Sequence, residues 1–173
     1  DITYSEPYVE NNGINGLNEF NLSRSNYKDD IVKSFGEITH VMEDNTDLMV
    51  FQEDKVSRVL VGKNMITASN GENTLTTTEN VLGQQIPFTG TYGTSHPESI
   101  AQDANSKYYV DVKRGAVVRL GGDGNEEISD RGMHAWFRDF LPPLMNSPIF
   151  GEFDPYYNEY VVALPDGLIT KRF

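Results

Sequence analysis

A hairpin that recurs along the chain constrains the fold more than any other feature. The stretch Lys107-Tyr108-Tyr109-Val110-Asp111-Val112-Lys113-Arg114-Gly115-Ala116-Val117-Val118 lies over Glu159-Tyr160-Val161-Val162-Ala163-Leu164-Pro165-Asp166-Gly167-Leu168-Ile169-Thr170 without a gap, at an offset of 52 residues. An earlier pair, Leu48 to Gln52 and Val56 to Val61, repeats the shape about 60 residues before the second. Each hairpin follows an aspartate in a polar turn: Asp44, Asp103 and Asp154. An aspartate there is expected to accept a backbone N–H two residues on and so shape the turn between a first and a second strand. Gly115 and Gly167 fall in the next turns, where a residue free of a Cβ takes positive φ at no steric cost. Recurrence every ~40–60 residues, with four short strands per unit, is the signature of propeller blades. One blade is too small to bury both faces, so neighbours must stack on it. A plain antiparallel meander also produces hairpins. Propellers close with at least about four blades, and this chain holds two to three. The expectation is therefore an excised part of a longer chain, which the opening at Asp1 rather than Met agrees with, or completion by partner subunits.

The remaining pattern divides the chain. Residues 1–35 are polar and rich in Asn, Gly and Ser, and read as an extended arm or loop with at most short strands. Residues 36–95 read as a first blade-like unit with a connecting lobe, because Asn70-Gly71, Gly83 and Gly90 interrupt a Thr-rich stretch. Residues 96–173 read as a second and a partial third unit with a helix over 130–141. In that helix Met133, Trp136, Phe137, Phe140 and Leu141 share one face, which docks it. Ser129 or Asp130 is expected to cap its start, and Pro142-Pro143 to stop it. The fold class expected is mainly β, with antiparallel hairpins forming part of a β-propeller-like fold and one short amphipathic α-helix.

Composition narrows the chemistry. The chain of 173 residues has no cysteine, which excludes disulfides, thiolate metal sites and thiol catalysis. Its net charge of −12 argues against gripping phosphate backbones, a task for Lys and Arg. No apolar run reaches the ~18–20 residues of a membrane span, and no signal-peptide pattern opens the chain. His40, His96 and His134 lack a metal-ligand spacing, and Gly121-Gly122-Asp123-Gly124-Asn125 fails the spacing of a calcium loop. Asn21-Leu22-Ser23 matches a glycosylation acceptor, as an Asn-rich chain will by chance. No catalytic, cofactor-binding or metal-binding residues are expected. The carboxylate excess serves solubility on a solvated face; more sharply read, it lines a passage that repels DNA phosphates, so that a duplex slides by without sticking.

Three segments carry a family resemblance: Gly90-Thr91-Tyr92-Gly93-Thr94-Ser95-His96-Pro97-Glu98-Ser99-Ile100, then Tyr108 to Leu120, then Ile128-Ser129-Asp130-Arg131-Gly132-Met133 with Trp136-Phe137. Over residues 90–173 the chain resembles the muzzle or "stabilisation" proteins of short-tailed, crAss-like bacteriophages, akin to tail nozzle proteins. The resemblance implies a non-enzymatic virion structural protein of the phage tail, propeller-bearing and assembled as a ring at the distal end. There it would extend or gate the channel through which the genome leaves. Its implied partners are other virion tail proteins and copies of itself, with DNA passing transiently and without specific binding. No cofactor and no catalytic residue carry over. The rival expectation is a secreted or surface β-domain that binds glycans or a protein partner, using Tyr92, Tyr156 and Tyr157 as contact surface. A propeller hydrolase is disfavoured because no paired carboxylates stand at recognisable positions.

Overall fold

A computed structural model of the chain describes residues 1–6, 8–10, 13–21, 26–67, 71–165 and 170–172. The first stretch holds four strands of two residues each: β1 (Ile2–Thr3), β2 (Tyr8–Val9), β3 (Ile14–Asn15) and β4 (Tyr27–Lys28). β1 pairs with β4 and β2 with β3, both antiparallel. Then follow β5 (Ile38–Asp44), β6 (Asp47–Gln52), β7 (Val56–Thr67) and β8 (Asn73–Pro87), a sheet of order β5-β6-β7-β8. A second four-stranded sheet, of order β12-β11-β10-β9, is built from β9 (Ala101–Gln102), β10 (Lys107–Asp111), β11 (Ala116–Gly121) and β12 (Gly124–Glu127). After the helix α1 (His134–Phe140) the last sheet runs β13 (Phe150–Asp154), β14 (Glu159–Ala163), β15 (Thr170–Arg172).

These residues form two compact units. The smaller comprises Asp1–Ser34, Glu43–Leu48 and Val59–Ile86; the larger comprises Phe35–Met42, Met49–Arg58 and Pro87–Phe173. Within the larger unit the strand alternation decides the packing. On a strand, neighbouring side chains point to opposite faces. Tyr109, Ala116, Val118 and Leu120 of β10 and β11 therefore join Met49, Phe51 and Val56 in one buried cluster. Val110, Val112 and Val117 face the other way and pack with Phe137, Leu141, Ile149, Tyr160, Val162 and Leu164. The centre of this sheet, Tyr109 and Val110 of β10 with Ala116, Val117 and Val118 of β11, is thus buried on both faces, and these two strands read as short apolar runs there for that reason. Aromatic pairs reinforce each side. Phe51 meets Tyr109 edge-on at 5.5 Å, and Tyr108 stacks between Phe153 and Tyr160 at 5.5 and 5.2 Å. Burying each such side chain stabilises by ~1.5–3 kcal/mol.

The structure departs from the sequence reading in two places. Where a connecting lobe is expected over 62–96, β7 continues to Thr67 and β8 runs for 15 residues. Gly83 does not break β8: a Cβ there would lie 2.0 Å from the Lys63 carbonyl oxygen, so glycine is what lets the two backbones approach. The helix is shorter than 130–141 because its expected cap is otherwise engaged. Ser129 sits in a 3-10 turn, Ile128–Asp130; its Oγ accepts the Val117 N–H at 3.1 Å and donates to Glu127 Oε1 at 3.1 Å. Met133 occupies the N-cap position without a side-chain cap bond. Pro142 ends the α-helix at a residue still in helical geometry, and a 3-10 turn, Pro142–Leu144, continues the path.

Helix α1 rests against the turn between β10 and β11. Gly115 holds that turn at φ +67, and a Cβ there would lie 2.4 Å from Arg138 Cα and 2.9 Å from the Phe137 carbonyl oxygen. Of the apolar stripe, Phe137 and Leu141 are fully buried, while Met133, Trp136 and Phe140 are half-buried against them. Gly115→Ala is expected to lower unfolding free energy by about 2–4 kcal/mol, from strain at positive φ plus displacement of the helix backbone. Urea denaturation measures it, and a loss below about 1 kcal/mol would mean that the helix is free to move aside.

Candidate assembly surface

The segment from Gly90 to Ile100, without regular strand structure, is the polar seam of the larger unit. Its Thr94 N–H donates to the Gln52 carbonyl at 3.0 Å, while Thr94 Oγ1 donates to the Val110 carbonyl at 2.8 Å and the Thr94 carbonyl accepts from Thr39 Oγ1 at 2.8 Å. Ser99 Oγ accepts the Val110 N–H at 3.2 Å and donates to the His96 carbonyl at 2.7 Å. Tyr160 reaches across to donate its hydroxyl to the Ser99 carbonyl. His96 is buried, and its Nε2 lies 3.1 Å from the Ser147 carbonyl. Backbone groups that no strand partner satisfies are satisfied here, as burial demands. Gly93 fits only as glycine, since a Cβ would lie 2.4 Å from the Gln52 carbonyl oxygen and 2.5 Å from Lys55 N.

Asp111 anchors the seam. It is 1% exposed. Its Oδ2 accepts the Gly93 N–H at 3.1 Å and Arg114 Nη1 at 3.0 Å, and its Oδ1 accepts the Arg114 N–H at 3.0 Å. Burial pushes the Asp111 carboxyl above its ordinary range, against the pull of these donors. Arg114 Nη2 continues to Asp54 Oδ1 at 3.1 Å, and Lys113 Nζ reaches both Asp54 oxygens at 2.8 and 2.9 Å. Hydrogen bonding from Lys113 holds the Asp54 carboxyl below its usual value, with Arg114 adding to it against a smaller burial effect. Tyr92 donates to Glu127 Oε2 at 2.8 Å, and burial with that contact pushes its hydroxyl up to about 12.

The other face of the β13–β14 hairpin carries exposed side chains. The pairing Phe150↔Ala163, Glu152↔Val161 and Asp154↔Glu159 puts these six residues on the face opposite Tyr160 and Val162. Phe150 is 54% exposed, Ala163 is exposed and Val161 half-buried. Among the described residues of the larger unit, neither buried cluster includes them. A sheet face carrying apolar residues beside Glu152 and Glu159 is suited to stacking on another protein surface.

The expected turn residues stand at corresponding places. Asp44, Asp103 and Asp154 each lie at the turn between the first and second strands of one of the three sheets. Asp103 Oδ1 accepts the Asn105 N–H at 3.2 Å, and Asp154 Oδ1 accepts the N–H groups of Tyr156 at 2.9 Å and Tyr157 at 3.3 Å. Asp44 is buried. Gly167 lies outside the described residues. Of the tyrosines considered for contact, Tyr92 is half-buried and engaged, whereas Tyr156 and Tyr157 are exposed. Sequence reasoning did not single out Gly93, Asp54, Asp111 or Arg114; the only local signal was an acidic residue three before an arginine in a tight turn. Among the described residues no group of three His, Asp or Glu is placed to hold a metal ion, and no helix is long and apolar enough to cross a membrane.

A family model, Crassvirus muzzle protein, matches residues 29–163, well over half of the chain. The chain belongs to the Crassvirus muzzle protein family. It is accordingly a structural protein of a phage virion and a component of the tail. No curated protein matches the chain. The matched span takes in the seam, the Asp111 network and all of the two buried clusters of this muzzle chain except Leu164.

Two outcomes test the network. Asp111→Ala leaves the Gly93 and Arg114 N–H groups without their acceptor and the Arg114 guanidinium with Asp54 alone, and is expected to cost about 3–5 kcal/mol by denaturant titration. Asp54→Asn is milder, about 0.5–1 kcal/mol at pH 7, because the pair is partly solvated. Its folded-state carboxyl lies below the unfolded value, so its contribution is present above the unfolded pKa and disappears as pH falls through the folded one. Parent and Asp54→Asn stabilities should therefore converge on acidification; a gap that persists at the lowest pH would contradict the assignment.

Proposed function

We propose that this muzzle chain acts at the distal end of the phage tail, as a propeller-like part of a ring that extends or gates the channel for genome exit. The observation that carries the reading is the asymmetry of the stacked sheets. The centre of the β9–β12 sheet is covered on both faces, whereas the exposed face of the β13–β14 hairpin offers Phe150, Val161 and Ala163 to a further surface. In this reading residues 36–95 are a first blade-like unit with its connecting lobe, and residues 96–173 a second and a partial third. Asp44, Asp103, Asp154 and Gly115 shape their turns, and Trp136, Phe137, Phe140 and Leu141 dock the helix. Further virion tail proteins or copies of the chain supply the missing surface. The net charge of −12 suits a channel part, because carboxylates repel phosphates and let DNA pass without a lasting contact.

The test is made in particles. A gold-labelled antibody against the chain should decorate the distal tail tip, and Phe150→Asp with Val161→Asp should fold yet fail to enter particles. Label confined to the capsid, or normal incorporation of the double variant, would sink the reading. A second reading, binding of glycans or a protein through exposed aromatics, is favoured by Tyr156 and Tyr157, which meet edge-on at 4.7 Å on the β13–β14 turn. Saturable glycan-array binding abolished by Tyr156→Ala would support it.

A further inference from the structure

The smaller unit carries an unguarded strand. β8 is the outer strand of its sheet and, at 15 residues, the longest in the chain's described residues. An edge strand offers a row of backbone N–H and C=O groups to any strand that comes alongside. Folded proteins ordinarily blunt such edges with lysines, prolines, inward charges or brevity. β8 does none of these over most of its length. Its sequence holds one charged residue, Glu79, and its only proline is the last residue, Pro87, in a chain where 23% of residues are charged. Asn73, Thr74, Leu75 and Thr77 are exposed. Large apolar side chains are exposed on the same hairpin: Ile66 at 55%, Leu75 at 58% and Val81 at 48%. The farther part of β8 is different in character, for there Gln85 Oε1 accepts the Val32 N–H at 2.8 Å and Asn80 and Leu82 line a polar cleft with Tyr4, Tyr27 and Lys28. The open edge is therefore residues 73–78.

We propose that this edge is a self-assembly seam, to which the β8 strand of a second copy of the same chain adds in antiparallel register. The choice of occupant follows from charge. Two copies that each carry −12 repel wherever their acidic surfaces meet, so a contact between copies must use a strip with little charge. The segment Asn73-Thr74-Leu75-Thr76-Thr77-Thr78 has none. It is also self-complementary: antiparallel pairing of a strand with itself satisfies both copies by the same bonds, and the symmetric register sets Thr74 opposite Thr77, Leu75 opposite Thr76 and Asn73 opposite Thr78, all uncharged pairs. The inference goes beyond the proposed tail role: a two-fold contact of this kind joins chains in pairs rather than around a ring, and it is readable in isolated protein.

The experiment uses the full chain and two readouts. Sedimentation follows association over a concentration series, and hydrogen exchange follows the amides of residues 73–87. The parent should self-associate, and amides within 73–78 should gain protection as concentration rises, which a contact through side chains alone would not give. Leu75→Lys with Thr77→Lys places gatekeeper charges at exposed positions. It should keep the parent's circular dichroism and weaken association by at least ~10-fold. Association that leaves residues 73–78 exchanging as in dilute solution, or that survives the double variant, overturns this seam while leaving the tail assignment to the particle-labelling result. A parent that stays monomeric at every concentration overturns the seam as well.

Discussion

The larger unit depends on a sheet whose central residues have a core on each side. Because the middle of β10 and β11 is buried on both faces, Tyr109, Val110, Val117 and Val118 each serve one of two cores, and the buried polar groups beside them must find partners within the protein. That requirement explains the seam between Gly90 and Ile100. Thr94 and Ser99 bond the two polar backbone groups of Val110, and Gly93 supplies an N–H to the buried Asp111. The apolar stacking sets the architecture; the seam makes that stacking affordable in hydrogen bonds.

How much of this was legible beforehand depends on the range of each interaction. The hairpins and their turn aspartates are local: Asp103 and Asp154 bond two residues ahead, and the 52-residue offset is preserved between β10 and β14. The Asp111 network was not legible, since Gly93 lies 18 residues before Asp111 and Asp54 lies 60 before Arg114. Nothing in either neighbourhood marks the other as its partner. The β7–β8 hairpin misled for a different reason. Gly83 and Asn70-Gly71 carry the marks of a broken strand, but Gly83 sits where the Lys63 carbonyl leaves no room for a side chain. The same residue type signals a break or a close approach, and only the packing tells which.

Membership of the Crassvirus muzzle family bears on three features of the chain. An acidic surface, apolar residues on the exposed face of the β13–β14 hairpin and a neutral edge strand are costly in a free monomer, where they invite repulsion or non-specific pairing. In the proposed tail role each would have a use: charge would keep DNA from adhering, and apolar or neutral strips would join neighbours.

The doubly buried centre of the sheet is best tested by native-state hydrogen exchange, residue by residue. If the centre of β9–β12 is sealed on both faces, the buried amides of Val110, Val117 and Val118 should exchange only through global unfolding, with protection that falls in step with overall stability in denaturant. Exchange of those amides by local opening, at free energies well below that of global unfolding, would contradict the account.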